Sequence, residues 1–312
     1  MVITVTLNPA MDKTLTVNNY TLGKVNRAIS IRYDIGGKGI NVSKVLINLG
    51  IESTCTGFLG GIWENTFKEE LNKRKVKYNF VHTSNNTRTN TKVVDNENKT
   101  YTDLNEQGPT IDSKLLTEFL KVFKDMCNKD DIVVLSGGAS PSIPKDIYRN
   151  LIYIAKRKGA LVILDADGPL LREGIAEKPE IIKPNNHELS SLFNIDEKSD
   201  EEILRVAHEL RSQGIKKILV SLGERGGYYI TEKGTYYAKG LKVDVKSTVG
   251  AGDSMVAALV YSLVNKLDDI ETLKFAIASG AATVRLEGTE ACTLIQINEL
   301  ISKVEINIKE EL

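Results

Sequence analysis

Ser247-Thr-Val-Gly-Ala-Gly-Asp-Ser-Met-Val-Ala-Ala-Leu259 joins two kinds of periodicity, and that junction decides how the chain is read. Before it, Leu241, Val243 and Val245 alternate as in a strand; after it, Val256, Leu259, Val260 and Leu263 recur on one face of a helix. Gly250 and Gly252 sit between. Having no Cβ, they let backbone N–H groups approach a bound anion, and the positive end of the following helix favours negative charge there. Asp253 begins the helix and has two readings. It is a capping carboxylate, or, if a phosphate already occupies those N–H groups, it can accept the proton of an attacking hydroxyl. The stretch by itself leaves both open.

Working outward, the same alternation of strand and helix recurs. Helical spacing over 113–127, 145–157, 187–193 and 200–213 is interleaved with apolar, β-branched runs at 131–136, 160–165, 180–183 and 216–221. Strands alternating with helices imply a mostly parallel sheet covered on both faces. Upstream, residues 2–7 read as a strand ended by Asn8-Pro9, with Asp12 at its exit. Strand 53–58, a helix over 64–74 and a strand near 78–82 continue the pattern. Two regions break it. Leu15 to Tyr33 holds short runs too polar on one face for a central strand, and Arg88 to Leu104 reads as a hairpin turning at Asp95-Asn-Glu-Asn98. Together they predict a small separate sheet. Strands at 227–231 and 235–238 precede the opening stretch, and helices near 268–287 and 296–304 close the chain.

Bulk composition narrows the function. With 312 residues and 41% hydrophobic content the chain can bury a large core. Forty-one basic residues balance forty-one acidic ones, so no global field recruits nucleic acid or an anionic membrane, and anion recognition has to be local. Cys55, Cys127 and Cys292 are widely spaced and odd in number, as expected of reduced core thiols. No basic leader and no run of about eighteen apolar residues is present, so a cytoplasmic protein is expected.

Several further groups stand at predicted strand ends, where open α/β sheets collect ligands. Gly36-Gly-Lys-Gly-Ile-Asn41 turns onto a helix with a cation in it; it is a tight turn with a solvated lysine or a second anion site, and no Ser or Thr follows Lys38 as a P-loop would require. Lys183-Pro-Asn185-Asn-His-Glu188 reads as a capping pair or as a place for hydrated Mg²⁺. Ser221-Leu-Gly-Glu-Arg-Gly226 reads as a hairpin turn or a nucleotide contact, and Arg88 as an edge-strand charge or a phosphate clamp. The first strand lacks the Gly-x-Gly-x-x-Gly of a dinucleotide-binding fold.

In order and spacing, these motifs resemble the PfkB carbohydrate kinases over essentially the whole chain: Thr-Leu-Asn-Pro-Ala-Met-Asp12, Gly-Gly-Lys-Gly-Ile-Asn41, Thr87-Arg88, Lys-Pro-Asn185-x-x-Glu188, Ser-Leu-Gly-x-x-Gly226 and Thr-Val-Gly-Ala-Gly-Asp253. Ser136-Gly-Gly-Ala-Ser-Pro141 departs from that family's Ser-Gly-Ser-Leu-Pro, so only Ser136 is carried over. The resemblance implies an α/β fold, a ribokinase-like three-layer α/β/α domain over 1–312 with a β lid formed by about 13–34 and 86–105. It implies ATP and Mg²⁺, and phosphorylation of a ketohexose monophosphate, D-fructose 1-phosphate at O6. Tagatose 6-phosphate and fructose 6-phosphate are the alternatives, and a non-catalytic sugar-phosphate sensor is a more distant one. On this reading Asp253 is the base and Gly250, Ala251 and Gly252 form the anion nest. Asp12, Gly37, Asn41 and Ser136 face the sugar; Lys38, Arg88 and Arg27 face its phosphate. Lys183, Ser221, Gly223 and Gly226 meet the nucleotide, and Asn185 and Glu188 hold Mg²⁺ through water. A homodimer through the lid sheets is likewise implied.

Overall fold

The opening strand, Val-Ile-Thr-Val-Thr, is β-branched and buried along its whole length, the composition of a strand covered on both faces. A computed structural model describes residues 1–309, and the last three of the expected 1–312 domain lie outside the described ones. Along the first part of the chain come β1 (Val2–Thr6), β2 (Ala10–Val17), β3 (Ser30–Gly36), α1 (Lys38–Asn48), β4 (Ser53–Gly60), α2 (Glu64–Lys73), β5 (Lys77–Thr83), β6 (Arg88–Asp95), β7 (Thr100–Asn105) and α3 (Ser113–Met126). Then follow β8 (Ile132–Ser136), α4 (Ile147–Arg157), β9 (Leu161–Asp165), α5 (Gly168–Ala176), β10 (Ile181–Ile182), α6 (Asn186–Phe193), α7 (Asp200–Ser212) and β11 (Lys217–Ser221). The chain closes with β12 (Gly227–Thr231), β13 (Gly234–Ala238), α8 (Ala251–Asn265), α9 (Asp269–Val284), α10 (Leu294–Ile301) and β14 (Ile306–Lys309).

Among the described residues ten strands form the main sheet in the order β14-β13-β12-β11-β10-β9-β8-β1-β4-β5. From β5 to β11 neighbours run parallel; β12, β13 and β14 add an antiparallel edge. Side-chain alternation sends Ile3, Val133 and Leu135 to one face, under α3 to α7, and Val2, Ile132 and Val134 to the other, under α1, α8, α9 and α10. Each fully buried Leu, Ile or Phe contributes about 1.5–3 kcal/mol, so these two helix layers carry the fold. The expected three-layer architecture is present.

Four more strands, in the order β3-β2-β6-β7, make the smaller sheet. It is rooted in the body where Met11 and Ile35 pack with Ile40, Leu59 and Phe67. Outside that root it has little core: Ile31, Tyr33, Tyr101 and Leu104 are all half-exposed or more.

Three expectations change. Residues 241–245 form no strand, because the place beside β13 is taken by β14, and Leu241 and Val243 instead lie half-buried against α9 and α10. That closing strand was not anticipated. Nor was α5, although its Pro169 at the first turn is an ordinary helix-start signal. The three cysteines are free and buried, and among the described residues no helix is long and apolar enough to cross a membrane.

Candidate active site

Two helices that begin on glycine point their N-termini at the same region. Gly250 caps α8 with φ +83, the left-handed conformation glycine adopts without strain, and no side chain caps the helix. The first N–H groups of α8 therefore have no intrahelical partner and no side-chain cap, the arrangement that receives an anion. Gly37 likewise caps α1 with φ 120, and a Cβ there would lie 2.6 Å from Thr6 Cγ2, so only glycine lets β1 and α1 approach this closely.

Asp253 is in the first turn of α8, buried, and caps nothing. Its Oδ2 accepts from Asn41 Nδ2 on α1 at 2.8 Å. Burial lifts its pKa to about 6, Asp165 adding to the lift while Lys38, the Asn41 bond and Lys183 oppose it. A carboxylate titrating there is mostly ionised at neutral pH and still basic enough to take a proton in a transition state. Asn41, expected on a sugar hydroxyl, thus orients Asp253, leaving its own buried Oδ1 without a partner.

Beside it lies a charge cluster built around Asp165, at the carboxyl end of β9. Lys183 Nζ stands 3.2 Å and Lys38 Nζ 3.7 Å from Asp165 Oδ1, and Lys38 is also 3.9 Å from Glu188 Oε1. Asp165 accordingly raises the Lys38 pKa. Burial works to raise Asp165 itself, but Lys183 and Lys38 outweigh it and the net shift is downward. Sequence reading missed Asp165. The signal was there, an acidic residue ending the apolar run Leu-Val-Ile-Leu, the same feature that singled out Asp12. Ser136 donates to Asp165 Oδ2 at 3.2 Å, so its hydroxyl is a support for the cluster.

Asn185 and Glu188 do form the capping box of α6: Asn185 Oδ1 accepts from the Glu188 N–H at 2.7 Å and Glu188 Oε2 from the Asn185 N–H at 2.8 Å. That leaves Oε1 of Glu188 facing the cluster. Gly226 is explained by packing, since a Cβ would meet Gly240 N at 2.5 Å; Gly223, at φ +61, faces open space.

A cleft of about 360 Å³ opens in front of the cluster, lined by Asn8, Gly37, Lys38, Arg88, Gln107 and Ser136 among others. Arg88 is held there by the carbonyls of Glu106 (3.0 Å) and Asn8 (3.2 Å), while its Nε is buried and unpartnered. Asn8 Oδ1 is in the same condition, as is Asp165 Oδ1 by hydrogen-bond geometry despite its ion pair with Lys183. Buried polar atoms rarely go unpaired, and their concentration here marks where a ligand completes the bonding. A cavity of about 470 Å³ between residues 241–244 and α10 holds none of the candidate site residues read from the sequence.

Asp12 sits on β2 next to the cleft, accepting from Asn90 Nδ2 at 3.2 Å, its pKa raised by burial. Arg27 is not brought in. Strands β2 and β3 pair from Ala10↔Gly36 at the cleft to Thr16↔Ser30 at the far end, and Arg27 is exposed beyond that, about 20 Å along the strands.

With this geometry in place, the comparisons with known proteins agree with one another. The model of the "pfkB family carbohydrate kinase" matches residues 5–296. The chain is 35% identical to a 1-phosphofructokinase of Bacillus subtilis over 93% of its own length and 95% of that protein's, and 32% identical to a tagatose-6-phosphate kinase of Staphylococcus epidermidis over 98% and 99%. The solved structure of phosphofructokinase-2 from Escherichia coli in complex with substrates and products superposes with a TM-score of 0.92 at 26% identity, covering 97% of this chain and 98% of that one. The protein is an ATP-dependent phosphotransferase acting on a sugar phosphate, and it belongs to the pfkB family of carbohydrate kinases.

Proposed function

We propose that the protein phosphorylates D-fructose 1-phosphate at O6, giving fructose 1,6-bisphosphate and ADP. The observation that carries the chemistry is Asp253, a buried carboxylate titrating at about 6 on a glycine-capped helix N-terminus, beside a cleft that holds Lys38 and Arg88. Arg88, with its unpartnered Nε, takes the phosphate already on the sugar, and Lys38 lies between that phosphate and the incoming one. Asp12 and Asn41 meet sugar hydroxyls. Asp253 accepts the proton of the 6-hydroxyl as O6 forms its bond to the γ-phosphorus and the bond from that phosphorus to the β-bridging oxygen breaks. The N–H groups of Ala251, Gly252 and Asp253 receive the developing charge, since phosphoryl transfer depends on positioning and charge stabilisation. Lys183 and the open backbone at Ser221 and Gly223 meet the nucleotide.

The residues also suit Mg²⁺. One oxygen of Glu188 remains after the capping box, and among the described residues no group of three or more His, Cys, Asp or Glu gathers, which fits an ion held mainly by water and phosphate. Bound there, it would neutralise charge between the nucleotide phosphates; Glu188 and Asn185 are the residues to hold it through water. The half-exposed lid apolars favour a homodimer through the lid sheets, to be tested by light scattering.

A second reading, tagatose 6-phosphate as acceptor, is favoured by the tagatose-6-phosphate kinase relative at similar identity, and fructose 6-phosphate is the other alternative. Measuring ADP release against a panel of hexose monophosphates separates them. Fructose 1-phosphate should give the highest kcat/KM; a higher value for another hexose phosphate overturns the substrate assignment, and no ADP release with any overturns catalysis.

A further inference from the structure

Helix α1 carries a second lysine that phosphosugar binding does not use. Lys44 is 3% exposed, and its ammonium donates to two neutral oxygens, the Ile35 carbonyl at 3.1 Å and Thr289 Oγ1 at 3.2 Å. Burial pulls its pKa down to about 8; Arg74, which follows α2, acts the same way, while Asp34 on β3, Asp12 on β2 and Asp253 on α8 act against it. Methionine would fill this space without the cost of burying a charge, so packing alone gives no reason for the ammonium.

The reason lies in what the two acceptors belong to. Ile35 is the next-to-last residue of lid strand β3 and immediately precedes the glycine turn that delivers Lys38. Thr289 follows Gly288, whose carbonyl accepts from Ser247 Oγ at 3.1 Å; the Ser247 hydroxyl oxygen in turn accepts from the Val249 N–H at 3.3 Å, one residue before the anion nest. Lys44 therefore stands where the sugar-side turn and the nucleotide-side nest are joined. An outer strap runs parallel to it. Arg32 on β3 pairs with Asp34 at 2.8 Å and reaches Glu290 at 3.2 Å and Glu287 at 3.6 Å. A Cβ on Gly288 would lie 2.9 Å from Asp34 Oδ2, so the strap rests on the loop backbone itself.

We propose that Lys44 is a positioning residue for phosphoryl transfer, holding the glycine turn of the phosphosugar site in register with the anion nest through Ile35 and Thr289. The inference rests on the kinase reading above. An error of about 1 Å in such a register costs on the order of 100-fold in rate without abolishing either binding step.

The test compares the full-length parent with Lys44→Met, Lys44→Arg and Thr289→Val, measuring ADP release with fructose 1-phosphate and, separately, thermal unfolding. For Lys44→Met the expected result is a kcat lower by about 10- to 100-fold, both KM values within about threefold of the parent, and a Tm close to the parent's. Thr289→Val should shift kcat the same way by less, and decides the matter if Lys44→Met does not fold. Lys44→Arg should recover part of the loss. As the ammonium is present below pH 8 and lost above it, the parent's kcat should fall as pH rises through about 8, and the Lys44→Arg profile should stay flat there. An unchanged kcat in both Lys44→Met and Thr289→Val overturns the proposal. So does a joint fall of kcat, both affinities and Tm that Lys44→Arg does not relieve, which is the mark of a structural role. A parent that releases no ADP with any hexose monophosphate overturns the kinase reading and this proposal with it, and that arm is read first.

Discussion

Replacing Asp253 by Asn changes one atom and should separate activity from stability. The Asn41 amide can still donate, now to the carboxamide oxygen, so the geometry between α1 and α8 is retained. What disappears is the proton acceptor. General-base catalysis supplies typically 10²–10⁴ in rate, so kcat for fructose 1-phosphate should fall by about that factor, or about 3–5 kcal/mol of transition-state stabilisation. KM for ATP and for the phosphosugar should move little, since neither phosphate depends on this carboxylate. Stability should go the other way. A carboxyl group that titrates at 3.8 in the unfolded chain and at about 6 when folded loses stability as pH rises between those values, and the loss persists at neutral pH. That difference corresponds to about 3 kcal/mol, an upper figure because Lys38 and Lys183 lose part of their counter-charge when the aspartate goes. Asp253→Asn should therefore unfold a few degrees higher than the parent at pH 7.5. A coupled ADP assay and a thermal melt on the same preparation check both. A kcat within about threefold of the parent would refute the base assignment.

Other outcomes follow from the same geometry. Arg88→Ala removes a charged donor already fixed by two carbonyls, and should raise KM for the phosphosugar by about 10- to 100-fold while leaving KM for ATP unchanged, in steady-state kinetics with each substrate varied. Gly252→Ala would place a Cβ 3.4 Å from Lys183 Nζ, in the space the proposed function assigns to a nucleotide phosphate; kcat should fall by at least about 10-fold while Tm holds or rises, because alanine suits a helix better than glycine. Trp63, the chain's single tryptophan, donates to Thr89 Oγ1 on β6 at 3.0 Å and lies 5.7 Å from the Tyr33 ring on β3, so its fluorescence should change on adding phosphosugar as the lid settles, and a silent signal would argue for a fixed lid.

Much of this was legible in the sequence because the fold is built of local signals in regular order. Alternating β-branched strands and helices with clear apolar faces placed nearly every element, and the glycine turns at 36–37 and 250–252 marked both helix N-termini. Where reading stopped, the cause was long-range. Whether Leu241, Val243 and Val245 form a strand depends on which segment sits beside β13, and β14, far along the chain, takes the place. Asp165 has no spacing motif; its importance comes from Lys38 and Lys183 meeting it from α1 and from the end of β10. That Asn41 also orients Asp253 was not legible, because nothing in its neighbourhood reveals that α8 brings Asp253 within 2.8 Å. Nothing in the sequence around Lys44 marks it, and only its burial against Ile35 and Thr289 distinguishes it.

The central claim, that Asp253 takes the sugar's proton, is tested most directly by kcat/KM for fructose 1-phosphate measured from pH 5 to 8. The group is active when deprotonated, so the account predicts a profile level near neutrality that falls below about pH 6, approaching tenfold per pH unit, with the limb absent from the residual activity of Asp253→Asn. A parent profile that stays level down to pH 5, or a variant that keeps the same limb, would contradict it.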